Sequence, residues 1–151
     1  MAINGSTLIS QTTLFIRDLL LSGITDPLSG TRTSSERFVM SAYPEREVNY
    51  PIITVKSTNV NTLRKGGMSS EDQIMNLPFE VRVWARNQAE KDQIAEQVHY
   101  LLRTNQITGG SATVDQGLFN FNLDSTVNVD ELGKNKPKSK VMEISYNLVA
   151  I

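Results

Sequence analysis

Cysteine is absent from this chain, histidine and tryptophan occur once each, and neither sign of charge prevails. Without a thiol, disulfides, thiolate metal sites and cysteine nucleophiles are all excluded. With His99 as the single histidine, a multi-histidine metal centre is excluded as well. Any serine–histidine–acid triad would have to use that one residue. The 15 basic and 16 acidic residues leave a formal net charge of −1, so charge gives no bias toward nucleic acid or toward a partner of one sign. A near-neutral surface permits self-association without arguing for it. Long apolar runs are missing too. The densest stretch, Leu14 to Leu21, is broken by Arg17 and Asp18 and falls far short of the roughly 20 residues of a membrane span. The N-terminus, MAINGSTLIS, lacks a basic region followed by an apolar run, so neither a secretory signal nor a membrane partner is expected.

What is present is organised around Leu77 to Arg103. Phe79, Val81, Val83 and Ala85 alternate with Glu80, Arg82, Trp84 and Arg86, the period of a strand buried on one face. At Asn87 the period changes. Ile94, Ala95, Val98, Leu101 and Leu102 form one stripe on a helix. Asn87 suits the N-cap, and Glu90 stands where a capping-box carboxylate reaches back to the Asn87 N–H. So short a connection folds the helix back onto the sheet of its own strand, where each large buried side chain contributes about 1.5–3 kcal/mol before entropy. A chain of 151 residues is expected to form one domain that buries about 70% of its unfolded surface.

Before this unit, the sequence predicts a first helix from Ser6 or Thr7 to about Ser22, with Leu8, Phe15, Ile16 and Leu19 inward. Leu20 and Leu21 widen that stripe, which fits either deeper burial or an oligomer contact. Gly23 is expected as the left-handed residue that closes the helix. A short strand over 37–42 and a second after Pro51, at Ile52 to Val55, follow. Residues 58–76 are polar, with Lys65-Gly66-Gly67 as the tip, and are longer than an ordinary hairpin loop. They read either as an arm that meets another chain or as a mobile loop.

After the helix, the Gly/Ser/Thr-rich residues 104–117 lead to a strand from Leu118, with a bulge or bend near Asp124. The turn at 130–140 carries Lys134, Lys136, Lys138 and Lys140, and Met142 to Leu148 alternate as a final half-buried strand. The lysine turn reads as a soluble hairpin tip or as an electrostatic contact.

Chemistry is sparse. His99 lies off the apolar stripe toward Asp92 and Glu96, where a solvated or subunit-facing histidine is expected. The carboxylate pairs Glu45/Glu47, Glu71/Asp72 and Asp130/Glu131 fall in loops, where solvated charge is the ordinary state. Trp84 alternates onto the polar face between Arg82 and Arg86, an arrangement that suits arginine over the indole under a covered sheet face. No catalytic residue, metal site or cofactor is assigned.

The N-terminal helix, the strand Tyr50-Pro51-Ile52-Ile53-Thr54-Val55, the polar excursion and the strand–helix run V-x-V-W-A-x(4)-E-K-D-x-I at Val81 to Ile94 stand in an order covering most of the chain. That order resembles the tail-terminator, or tail-completion, proteins of long-tailed bacteriophages. Residues 104–117 and the lysine turn lie outside the family pattern. The resemblance implies a single α+β domain: a mainly antiparallel or mixed sheet of roughly four to five strands, two helices on one face, and a long β-hairpin arm. It implies a structural virion protein at the head–tail interface, assembled in the host cytoplasm, that caps the tail tube as a homo-oligomeric, hexameric ring and is no enzyme. The tail tube protein, a head-completion or neck protein, and DNA passing through the channel without sequence specificity are the implied partners. The interface candidates are then Leu63, Arg64, Lys65, Met68, Trp84 and Arg86, with Lys134, Lys136 and Lys138 as electrostatic contacts. Alternatives are a head-closure or adaptor protein of the same connector, a small hydrolase or ligand-binding domain using His99 or the carboxylate pairs, and a nucleic-acid-binding module using the lysine turn.

Overall fold

Alternating apolar residues have built one sheet with a single helix-covered face. The structure, a computed structural model, describes residues 7–32, 36–43, 49–58, 61–65, 73–104, 118–130 and 136–150. Its elements are α1 (Leu8–Gly23), β1 (Val39–Met40), β2 (Ile52–Ser57), β3 (Asn61–Lys65), β4 (Gln73–Ala85), α2 (Gln88–Thr104), β5 (Leu118–Asp130) and β6 (Lys138–Ala150). The strands run in the order β1-β2-β4-β6-β5, with β3 pairing the far end of β4. Only β1 and β2 pair in parallel, so the sheet is mixed but mainly antiparallel. The protein is thus a single-domain α+β fold, as expected from its sequence.

The register puts Val39, Ile53, Val83, Val81, Phe79, Met142, Ile144, Tyr146, Leu148 and Leu118 on one face, and all of them join the buried core. Ile16, Leu19 and Leu20 of α1, with Ile94, Ala95, Val98 and Leu102 of α2, close that core from the helix side. α1 lies against β1 and β2, and α2 against β4, β6 and β5. The α2 stripe continues one turn back to Lys91, which is fully buried; extending Leu102, Val98 and Ala95 by the helical period lands there.

Of the excursion over 58–76, residues 61–65 and 73–76 are strand. β3 pairs residues 73–76 of β4, which begins at Gln73 rather than near Leu77, and its tip lies outside the described residues. β6 runs along the other side of those residues of β4, so the arm is three strands wide at its base. Pro78 sits inside central β4 at the gap between β2 and β3. Its carbonyl accepts the Thr58 N–H at 3.0 Å. The N–H that proline lacks would face the same side, where the ladder is already interrupted, so it costs little.

Three local expectations are corrected. Gly23 is not left-handed; α1 ends on Ile24 in extended conformation, and a β-carbon on Gly23 would fall 2.5 Å from Leu101 Cδ2. Close approach of the helices, and not backbone twist, accounts for the glycine. Thr7 is the N-cap of α1 but makes no side-chain cap bond. At α2, Asn87 Oδ1 accepts the Glu90 N–H at 2.9 Å, whereas the Glu90 carboxylate takes the Arg86 N–H at 3.2 Å in place of Asn87's. The bulge expected near Asp124 is present between Leu123 and Ser125, and a second lies between Phe119 and Asn122. There Asn120 adopts φ 54°, a region asparagine tolerates better than most residues.

Candidate interaction surface

The face of the sheet away from the helices carries a polar and aromatic cluster at its β2–β4–β6 centre. Arg82, Trp84, Thr54 and Ser139 share this face because Thr54 pairs Arg82 and Ser139 pairs Trp84 across the strands. The Arg82 guanidinium carbon stands 3.8 Å from the Trp84 ring centroid. Its Nη2 and Nε donate to Ser139 Oγ at 3.0 and 3.3 Å, and the Ser139 hydroxyl donates to the Val129 carbonyl at 2.5 Å. Trp84 Nε1 donates to Thr54 Oγ1 at 3.3 Å, while the Tyr43 ring packs on the indole at 4.8 Å. Arginine over the indole, expected from the sequence, is Arg82. A guanidinium stacked on a ring and hydrogen-bonded at its edge is fixed in direction, which makes a rigid surface.

This face is partly covered from within the chain. Ile52, opposite Trp84, is fully buried although it stands apart from the main core cluster. The tie at that end is Arg32. Its Nε donates to Asp26 Oδ2 at 2.6 Å, its Nη1 to the Asn49 carbonyl at 2.7 Å, and its Nη2 to the Pro51 carbonyl. Arg32 and Asp26 side chains are 6% and 15% exposed, so this pair is held in a low-dielectric setting where its bonds are strong and costly to break.

Toward β5 the same face is open. Val127 and Val129 pair Val141 and Ser139 on the outer side, and they are 53% and 41% exposed.

The residues proposed from sequence are dispersed over these features. Leu63, Arg64 and Lys65 fall on β3, with a register shift between Thr62 and Arg64; Met68 and Lys134 lie outside the described residues. Trp84 is at the cluster centre. Arg86 turns to α2, where its Nη2 bonds Glu90 Oε2 at 2.5 Å. The Arg86 hydrogen bond, ahead of a smaller opposing effect of burial, holds the Glu90 carboxyl below its usual range. Lys136 is exposed, Lys138 opens β6, and Lys140 reaches Asp92 of α2 at 2.9 Å. Of the lysine turn, Lys138 and Lys140 stand on β6, and Lys140 pins helix to sheet. That hydrogen bond lowers the Asp92 pKa.

His99 is half-buried, its ring 6.0 Å from that of Phe121, which in turn packs 5.4 Å from Tyr146. One side of the ring is turned to β5, where the second bulge, which no sequence signal marked, brings Phe121, and the rest is left to solvent. Glu45, Glu47, Glu71, Asp72 and Glu131 lie outside the described residues. Among the described residues no group of three His, Asp or Glu side chains could hold a metal ion, and no helix is long and apolar enough to cross a membrane.

Two hollows are both broad and open. One of about 490 Å³ is lined by Arg17, Leu21, Arg37, Met40 and Ala42 beside β1. The other, about 450 Å³, lies between Leu28, Tyr50 and Arg86. Comparison of the sequence with protein-family models and with curated proteins gives no match in either case.

Proposed function

We propose that this chain is a structural ring protein of a long-tailed phage, placed at the end of the tail tube, where it stops tube growth and receives the head. The supporting observation is the one-sided sheet. Both helices cover one face, while the other face carries a rigid Arg82–Trp84–Tyr43 cluster, exposed valines and an arm prolonged by β3. Such a module offers surface to neighbouring chains on several sides. Contacts between unlike surfaces close into a ring when the rotation permits, and a closed ring is suited to capping an open-ended stack. The same architecture and element order are what the resemblance to tail-terminator proteins implies.

In this role the protein is no enzyme, and its partners are copies of itself, the tail tube protein and a neck protein, with DNA passing through the channel. The test is to purify the chain, determine its mass in solution and image it by negative stain, then add it to polymerising tail tube protein. Closed rings and shortened, capped tubes are expected. A monomer at every concentration, with tube length unchanged, overturns the reading. Rings that bind the portal side and ignore the tube would assign the chain to the adaptor position instead.

A further inference from the structure

Two of the four tyrosines of this chain touch. Tyr43 and Tyr50, seven residues apart, meet through their hydroxyls at 2.5 Å, the short end of the range for a hydrogen bond between two such groups. Tertiary contacts place both. The Tyr43 ring packs on Trp84 with centroids 4.8 Å apart, and Tyr50 stands between Asn49 and Pro51, whose carbonyls both accept from Arg32. Tyr43 is 45% exposed and Tyr50 lines the open hollow of about 450 Å³, so small solutes reach the pair. The other two tyrosines are placed differently. Tyr146 is fully buried, and Tyr100 stands on α2 with the Arg103 guanidinium 5.7 Å from its ring centroid.

We infer that Tyr43 and Tyr50 form an oxidative cross-linking site, at which peroxide activated by a haem peroxidase joins the two rings as dityrosine. Each phenol gives up one electron and one proton, and the unpaired spin spreads to the ring carbons ortho to the oxygen. The two radicals couple there and a carbon–carbon bond forms. Each coupled carbon then loses its proton as its oxygen regains one, which restores both phenols. The two electrons and two protons removed reduce one peroxide to two waters. Radicals on separate molecules must first meet in the right orientation; here the ortho carbons lie beside oxygens already in contact, so that encounter is arranged in advance. In a chain without cysteine, the bond would do what a disulfide does elsewhere. It would close the segment between the two tyrosines and fasten Tyr43 over Trp84, at the centre of the Arg82 cluster. The site stands on its own geometry and does not depend on the ring reading.

The test is to treat the dilute full chain with peroxide and a haem peroxidase, then follow the blue fluorescence of dityrosine on denaturing gels. Fluorescence is expected in the monomer band. Trypsin cuts after Arg37, Arg46 and Lys56, so mass spectrometry of that band should find peptides 38–46 and 47–56 joined with the loss of two hydrogens. Tyr43→Phe and Tyr50→Phe, which remove only a hydroxyl, are each expected to lose the fluorescent monomer, and Tyr100→Phe to keep it. The same treatment in urea should lower the yield several-fold, because the contact is made by the fold. Fluorescence confined to linked dimers, or retained in the monomer of Tyr43→Phe, overturns the site. An equal yield from folded and unfolded chain overturns it too, since nearness in sequence would then be the whole cause. So does a dark monomer band while free tyrosine in a parallel reaction is coupled.

Discussion

Gly23, the last residue of α1, lies so close to Leu101 of α2 that an added β-carbon would fall 2.5 Å from Leu101 Cδ2 and 2.8 Å from Cδ1. Two effects of opposite sign meet there. Alanine in a helix is favoured over glycine by up to about 1 kcal/mol, whereas overpacking costs about 1–3 kcal/mol. Because the obstructing atoms are the tip of a side chain, Gly23→Ala is expected to destabilise by about 1 kcal/mol net. In a Leu101→Ala background the same change should be neutral or stabilising, as a double-mutant cycle of urea unfolding would show. Equal effects in both backgrounds would mean that the helices do not meet in this way.

Arg32 is the second point of leverage. Arg32→Ala leaves Asp26 poorly hydrated and two carbonyls without a donor, and is expected to cost about 3–5 kcal/mol. Arg32→Lys should recover only part of this, since an ammonium cannot reproduce the guanidinium fork. Full stability of the lysine variant in denaturant titration would remove the geometric explanation.

Tyr146 is fully buried and its hydroxyl has no hydrogen-bond partner among the described residues. Tyr146→Phe is therefore expected to be neutral or slightly stabilising, because it removes a desolvated hydroxyl without creating a large cavity. A loss above about 1 kcal/mol would reveal a bond to that oxygen. Burial also pushes the phenol above its usual range. The unfolded chain then releases this proton first, so stability is whole below about pH 10 and falls as pH rises beyond it. The Phe variant should lose less in alkaline unfolding.

On the acid side the sign is reversed. The folded pKa of Glu90 is lowered chiefly by its hydrogen bond with Arg86, and that of Asp92 by its hydrogen bond with Lys140. Their contributions are complete above the ordinary carboxylate values, about 4.3 and 3.9, and vanish as pH drops through the lowered folded values. Asp92 is well solvated, so its pair matters little. Glu90, with a side chain 14% exposed, carries more of the effect. Glu90→Gln should flatten the stability profile below neutral pH, and Asn87→Ala should cost about 1 kcal/mol at every pH by loss of the helix cap. An unchanged acid limb in Glu90→Gln would show that its ion pair is not maintained in solution.

Period and capping residues determined much of this protein without reference to its tertiary structure. The β4–α2 unit, the Asn87 cap, the alternating β6 and the bulge at Asp124 were all legible, because each depends on neighbours within a turn or a strand of the same segment. The β3 extension was signalled by Val60, Leu63, Ile74 and Met75, but its pairing was not fixed by them. Lys91 could have been found by running the α2 stripe one turn back; its charge hid it from a search for apolar residues.

The remaining features are products of the tertiary structure. Arg82 rather than Arg86 covers Trp84 because Ser139 of β6, distant in sequence, anchors its edge, while Glu90 captures Arg86. Gly23 is set by Leu101, Arg32 by the carbonyls of 49 and 51, and His99 by a bulge in β5. Local sequence specifies which face of an element is apolar. Which residues then meet across elements is decided only when the sheet register and helix packing bring distant backbones together.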